Sequence, residues 1–257
     1  MSYQTSWIAY QTIVRKEVTR FLRIWQQTLL PPVMTTSLYF IIFGSLIGPR
    51  IGQMEGFRYM DFIVPGLILM SVITNAYANT SSSFFSAKFQ SSIEELLVSP
   101  TPNWVILLGY TTGGMVRGIL VGIVVTLVSL FFSDLSIHNI WIMISIILFT
   151  ALLFSLAGFL NGMFAKKFDD VSIVPTFVLT PLTYLGGIFY SIKLLPEFWQ
   201  GVSHINPILY MINAFRYGFL GVSDIGLWSS YTIIMLFIVG LFLVNLKLLR
   251  TGYGIRS

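Results

Sequence analysis

Residues Ile140–Phe164 read IWIMISIILFTALLFSLAGFLNGMF, 25 consecutive positions without a charged side chain. A helix that crosses a bilayer takes roughly 20 predominantly apolar residues, so this run is a span, and it sets the class of the whole chain. Its apolar residues do not alternate with a period of two, which makes it a helix rather than a barrel strand.

Outward from that run, five more stretches meet the same requirement, approximately 29–47, 62–80, 105–132, 171–190 and 227–246. The composition agrees: the 257 residues are 55% hydrophobic and 10% charged, against about 25% charged in an ordinary soluble domain. So few charges do not coat a water-facing surface. The expected fold is an all-α integral membrane domain of six transmembrane helices in one unit, 1–257. There is no cysteine, hence no disulfide framework and no thiolate metal site. No cleavable leader is expected, because the charged stretch 15–23 is followed by a long apolar run. No internal repeat supports an inverted-repeat carrier.

The lysines and arginines set the orientation. With the N-terminus inside, ten lie on inner segments (Arg15, Lys16, Arg20, Arg23, Lys88, Lys166, Lys167, Lys247, Arg250, Arg256) and four on outer ones (Arg50, Arg58, Lys193, Arg216). Both termini are therefore expected in the cytoplasm. The net charge of +5 then reflects topology, not nucleic-acid binding.

Between the spans lie four informative segments. Around 6–26, Trp7, Tyr10, Val14, Val18, Phe21 and Trp25 follow steps of three and four, with Arg15, Lys16, Thr19, Arg20 and Arg23 on the other sides. This predicts an in-plane amphipathic helix, serving either as a membrane anchor or as a docking surface. Pro31 and Pro32 suit the first turn of the span that follows. Segment 91–103, within QSSIEELLVSPTPNW, fits a helix opened by a Ser92–Glu95 capping box, favoured at its N-terminal end by Glu94 and stopped by Pro100 and Pro102. A solvated loop and an element gripped by a partner are both open readings of it. Lys166, Lys167, Asp169 and Asp170 make the second inner loop, a contact surface or a plain turn with positive-inside lysines. Segment 191–226 contains ILYMINAFRYGFLG, apolar yet shorter than a span, and reads as re-entrant helices forming an extracellular lid. Trp199, Tyr210 and Tyr217 suit an outer interface.

Polar and aromatic residues within spans two and five are Asn75, Tyr77, Asn79, Thr176, Thr180, Thr183 and Tyr184. They line a path or glue helices together, the latter worth roughly 0.6 kcal/mol each. Pro175 and Pro181 kink the fifth span near them. Arg117 is a charge inside the third span, a functional candidate by default; snorkelling from a long apolar run is the favoured reading.

The stretches SIEELLVSPTPNWVILLG and LGGIFYSIKLLPEFWQGVSHINPILYMINAFRYG, taken with the six spans and the N-terminal helix, resemble the membrane subunits of type 2 ABC exporters. Within that family the likeness is nearest to an enterobacterial inner-membrane transport permease. The second stretch is the more specific, with its Gly-rich end of span five, aromatic pair, Leu-Pro turn, Asn-Pro and following arginine. Asn213 departs from the pattern, since relatives often carry an acid there. The resemblance implies a homodimer in the bacterial inner membrane with separate ATPase subunits beneath it. ATP and Mg²⁺ would be bound by those partners; this chain has no phosphate loop G-x-x-x-x-G-K-[ST] and is expected to bind no cofactor or metal and to be no enzyme. It further implies ATPase coupling through Glu94, Glu95, Leu96, Ser99 and Pro100 and through Lys166, Lys167, Asp169 and Asp170. The path would be lined by Asn75, Tyr77, Asn79, Thr176, Thr180, Thr183 and Tyr184, and the lid built on Pro196, Trp199, Asn206, Pro207 and Arg216. Partners are then ATPase subunits, a second copy and membrane lipid.

Two rival classes fare worse. An intramembrane hydrolase needs groups that are missing: His138 and His204 are the only histidines, and neither sits in H-E-x-x-H or beside a G-x-S-x-G serine. An ion-coupled carrier or channel places acids inside its spans, whereas Asp61, Asp134 and Glu197 fall at ends or in loops.

Overall fold

A computed structural model describes residues 3–254; Arg256, counted above among the inner charges, lies outside them. The chain opens with α1 (Tyr3–Arg23) and, after a break at Ile24, α2 (Trp25–Ile51), whose stretch Phe40–Ile47 is π-helical. A hairpin of β1 (Gln53–Met54) and β2 (Phe57–Arg58) follows. Its two-residue turn, Glu55 at φ 51° and Gly56 at φ 82°, needs two left-handed residues, the condition of a tight antiparallel turn.

The central helix is α3 (Tyr59–Phe89). At 1.5 Å per residue its 31 residues span about 46 Å, against a hydrocarbon core of about 30 Å. The surplus carries the short α4 (Ser92–Val98) beyond the end of the apolar layer. Next come α5 (Asn103–Ser129) and α6 (Ile140–Phe164). Asn139 caps α6, its side-chain oxygen accepting the N–H of Trp141 and Ile142. The segment 168–185, α7, consists of α-helical Phe168–Val174 and Thr180–Leu185 around π-helical Pro175–Leu179. The outer end holds α8 (Glu197–Ile205) and α9 (Pro207–Leu220), and α10 (Leu227–Thr251) completes the chain.

Helix α3 forms the core. It is mostly buried and packs against α5, α6 and α9, while α6 also packs on α9 and α10. Its closest approach to α6 depends on glycines four apart. Any Cβ on Gly158 would collide with the Tyr77 carbonyl, and one on Gly162 would lie 2.7 Å from the Ser81 carbonyl, the small-residue packing by which membrane helices approach. Helices α2 and α10 stay largely uncovered, and α2 presents Leu30, Met34, Leu38 and Leu46 outward.

Several sequence expectations shift. Among the described residues five helices are long and apolar enough to cross a membrane, α2, α3, α5, α6 and α10, five of the six expected spans. The expected fifth span, 171–190, is α7, which ends at Leu185 because Gly186 and left-handed Gly187 turn the chain. Its 18 helical residues reach about 27 Å. Pro31 and Pro32 lie inside α2, past its first turn, since the helix begins at Trp25. The face that α1 buries is Ser6, Ile13, Glu17 and Phe21, which divides the expected row: Phe21 is buried, Tyr10, Val14 and Val18 are half-buried, and Trp7 and Trp25 stay exposed. The reason is a partner helix: α1 runs along α5, with Ile13 against Gly109 and Glu17 against Gly113.

Candidate functional site: an inner face and an intramembrane polar cluster

At the end of the bundle expected to face the cytoplasm, α4 begins differently from the expected capping box. Ser91 takes the cap position in the left-handed region at φ 57°. Ser92, already in the helix, turns its hydroxyl back to the Ala87 carbonyl at 3.1 Å. Ile93 is buried and anchors the helix, leaving Glu94, Glu95 and Pro100 exposed and Leu96 and Ser99 half-buried. The stop holds as expected, the Ser99 hydroxyl donating to the Leu96 carbonyl at 2.6 Å. In the second inner loop the Asp170 carboxylate accepts the backbone N–H of Lys166 at 2.8 Å and of Lys167 at 3.0 Å. These bonds hold its pKa below the ordinary carboxylate value. Lys166, Lys167 and Asp169 project outward.

The second of these loops is tied to the end of α3. Phe168, the first residue of α7, packs on Phe85 and Phe89 at ring separations of 4.9 and 5.0 Å. The Lys88 ammonium donates to the carbonyls of Met163, Ala165 and Gly254 at 2.8, 3.1 and 2.6 Å. The ends of α3 and α6 and the C-terminal turn therefore meet at one cation, and the carboxylates of α4 stand at the same end of the bundle as Lys166–Asp170.

Deeper in the bundle is a cluster that joins α1, α3 and α5. Glu17 is fully buried and lies 3.4 Å from Arg20. Arg20 also donates to the Asn79 side-chain oxygen at 2.8 Å and to the Asn79 carbonyl at 3.2 Å. Arg117 approaches the same Asn79 oxygen and that of Asn75, each at 3.5 Å. Arg117 thus points across to α3 and does not snorkel along its own helix: Asn75 and Asn79, one turn apart, offer it two acceptors inside the bundle. Tyr10 adds a bond to Thr112 at 3.0 Å. Sequence reasoning missed Glu17 as a buried group. Its signal was present: Ile13, Glu17 and Phe21 are spaced by four, and Gly109 and Gly113 offer a matching pair of gaps.

The residues expected to line a path divide between two environments. Asn75 and Asn79 belong to the cluster, Tyr77 is buried against α6, and Thr183 is turned inward. Thr176, Thr180 and Tyr184 share an exposed face of α7. On α3 the corresponding open stripe is Thr74, Ala78 and half-exposed Ser82, which the sequence reading did not name. Tyr39 of α2 and Tyr184 of α7 meet at 3.3 Å between their hydroxyls. A cavity of about 350 Å³ lies between α2 and α3, with Arg117 in its wall.

At the opposite end, α8 and α9 meet at Asn206, whose side chain accepts the N–H of Ile208 at 3.0 Å and donates to the Leu182 carbonyl at 2.6 Å. Pro207 then occupies the first turn of α9, where its missing N–H costs nothing. Pro196, which precedes α8, and Trp199 on it are exposed, whereas α9 is buried and Tyr210, expected at the interface, turns inward to the His204 carbonyl at 2.7 Å. Arg216 is 1% exposed. Its guanidinium donates to the carbonyls of Phe62 at 3.3 Å and Gly187 at 2.6 Å and stacks 3.7 Å over the Phe62 ring. No carboxylate reaches within 4.0 Å of it among the described residues, in keeping with Asn213, whose side chain instead accepts the Asp224 N–H at 3.0 Å. Beside it, Lys193 bridges Asp224 at 3.0 Å and Glu55 at 3.4 Å, and a cavity of about 620 Å³ opens between Glu55, Arg216, Asp224 and Trp228.

Comparison with known proteins bears on this arrangement. Residues 8–220 match the family described as ABC-2 type transporter. The chain is 62% identical over 252 residues to the inner membrane transport permease YadH of Escherichia coli (strain K12), covering 98% of each chain. It is 24% identical over 216 residues to nodulation protein J of Sinorhizobium fredii, covering 84% of this chain and 82% of that one. For nodulation protein J of Rhizobium leguminosarum the identity is 24% over 214 residues, 83% of each.

Proposed function

The chain belongs to the ABC-2 type transporter family, and from that premise we propose that it is the membrane subunit of an ATP-driven exporter in the bacterial inner membrane. Two copies supply the path, and two separate ATPase subunits dock below. The observation that carries this reading is the near full-length match to a transport permease. It is supported by the inner face: a short helix with exposed carboxylates that continues from α3, and a charged turn held to the same end of α3 by Phe168 on Phe85 and Phe89. A partner that closes beneath the membrane would push on both as one body.

In this reading α7 completes six spans, α1 lies along the inner membrane surface, and both termini face the cytoplasm. ATPase closure moves Glu94, Glu95 and the following Ser99–Pro100 turn, and Lys166, Lys167, Asp169 and Asp170 form the second contact. The motion enters α3 and α5 directly, because α4 is the link between them. Alternating access then requires that the ATPase hold the two states with different affinity. Thr74, Ala78, Ser82, Thr176, Thr180 and Tyr184 face the path between the two copies, and α8 and α9 close it outside. ATP and Mg²⁺ bind the partner.

The test is ATP hydrolysis by the purified complex. Substituting both Glu94→Ala and Glu95→Ala, exposed side chains whose loss leaves the fold intact, should abolish stimulation of the ATPase by the membrane subunit. Unchanged association and stimulation would remove these carboxylates from the coupling. An ion-coupled carrier is the second reading, favoured by one observation, the buried Glu17; solute flux through the reconstituted chain without any ATPase would establish it instead.

A further inference from the structure

The charge in the intramembrane cluster does not balance. Arg20 and Arg117 converge on one oxygen, that of Asn79. Glu17 lies 3.4 Å from Arg20, and Arg117 has no carboxylate within 4.0 Å among the described residues. Two cations thus share one acid. The contacts that Arg117 does make are long, 3.5 Å to each of two neutral amides, and its Nε has no partner. An uncompensated charge at such depth is costly, and a guanidinium presents a planar fork that fits an oxyanion in two-point fashion.

Arg117 also has somewhere to hold one. It forms part of the wall of the cavity of about 350 Å³ between α2 and α3. Gln27 and Thr35, both exposed, are the polar groups of its wall that stand open to a head group; Thr28, Ser71 and Asn75 line it too but already donate to protein carbonyls. The apolar part of the wall is Pro31, Pro32, Leu67, Met70 and Ala78, with Tyr39 and Thr74 among them, and outside it α2 presents Leu30 and Met34. Polar at its charged end and apolar beside the bilayer, the cavity has the two-part character of an amphiphile.

We propose that this cavity binds the phosphate headgroup of an anionic amphiphile entering from the bilayer, with Arg117 as the anion-binding group. The cavity shares Thr74 and Ala78 with the proposed path, but binding to it requires neither ATP nor a partner, so it is tested separately from transport.

The experiment titrates dodecyl phosphate into the purified full-length chain in an uncharged maltoside detergent and follows the melting temperature. Saturable stabilisation is expected, equal in the Arg250→Gln control. Arg117→Gln should need about 10- to 100-fold more ligand, the weight of a charge-assisted hydrogen-bond pair. Ala78→Phe fills the open side of the cavity and should weaken binding similarly with the guanidinium intact. Inorganic phosphate should be much the weaker ligand. The proposal is overturned if Arg117→Gln and Ala78→Phe bind as the parent does, or if inorganic phosphate is as effective as dodecyl phosphate. If Arg117→Gln does not fold, Ala78→Phe decides alone, and undiminished binding there overturns the assignment.

Discussion

The Arg20 guanidinium donates to the Asn79 side-chain oxygen at 2.8 Å, joining residues 59 positions apart. That bond fastens α1 to the helix at the centre of the bundle. Because α3 leads directly into α4, the N-terminal helix and α4 are attached to the same rod.

Arg20→Ala removes this tie and leaves the buried Glu17 carboxylate without its cation. A destabilisation of about 1–3 kcal/mol is expected, the cost of orphaning a buried polar group. Adding Glu17→Gln should recover part of it, since the uncompensated charge is then gone. Thermal melts of the single and double variants, combined as a cycle, give the coupling directly.

The seam between α1 and α5 is equally specific. The Glu17 Cβ lies 2.5 Å from where a Cβ on Gly113 would stand, whereas nothing lies within 4 Å of the same position on Gly240. Gly113→Leu should therefore lift α1 from α5 at a cost of about 1–3 kcal/mol, the usual penalty of overpacking, and Gly240→Leu should be close to neutral. Protease sensitivity of the first 25 residues separates the two outcomes.

The outer hairpin is tied to the α7–α8 segment by a pH-dependent link. Lys193 has its pKa raised, first by its hydrogen bond to Asp224 and then by the attraction of Asp224 and Glu55. A raised lysine contributes stability that is fully present below the ordinary lysine value of about 10.4 and is lost as pH rises through the higher folded value. The melting-temperature difference between the parent and Lys193→Ala should be constant from pH 7 to 9 and shrink above about pH 10.4.

The sequence made the spans legible because hydrophobicity in a bilayer is nearly a one-dimensional property. Ile140–Phe164 was read at its true limits, and the other four long helices were located though not measured. The central helix runs nine residues past its expected end at 80, because an inner extension such as SSSFFSAKF is neither apolar nor broken by proline. The polar cluster was only half visible. Asn75, Asn79 and Arg117 stood out as polar groups in apolar runs, but Glu17 is surrounded by charges in sequence, and only the packing of α1 on α5 takes it out of water. Helix faces were the least legible feature: Asn75, Tyr77 and Asn79, the residues of α3 that its sequence points to as path lining, are all buried, and the open positions between them are Thr74 and Ala78.

The central claim is that a separate ATPase grips the inner face through α4. The chain has no cysteine, so a single Glu94→Cys introduces a unique thiol on an exposed side chain. Crosslinking from that thiol in native membranes, followed by purification of the full-length chain and mass spectrometry, tests the claim most directly. The account predicts one adduct, with a protein carrying the phosphate loop G-x-x-x-x-G-K-[ST], and none from Trp228→Cys, 88% exposed at the opposite end. Absence of that adduct at position 94, or its appearance only from position 228, would contradict it.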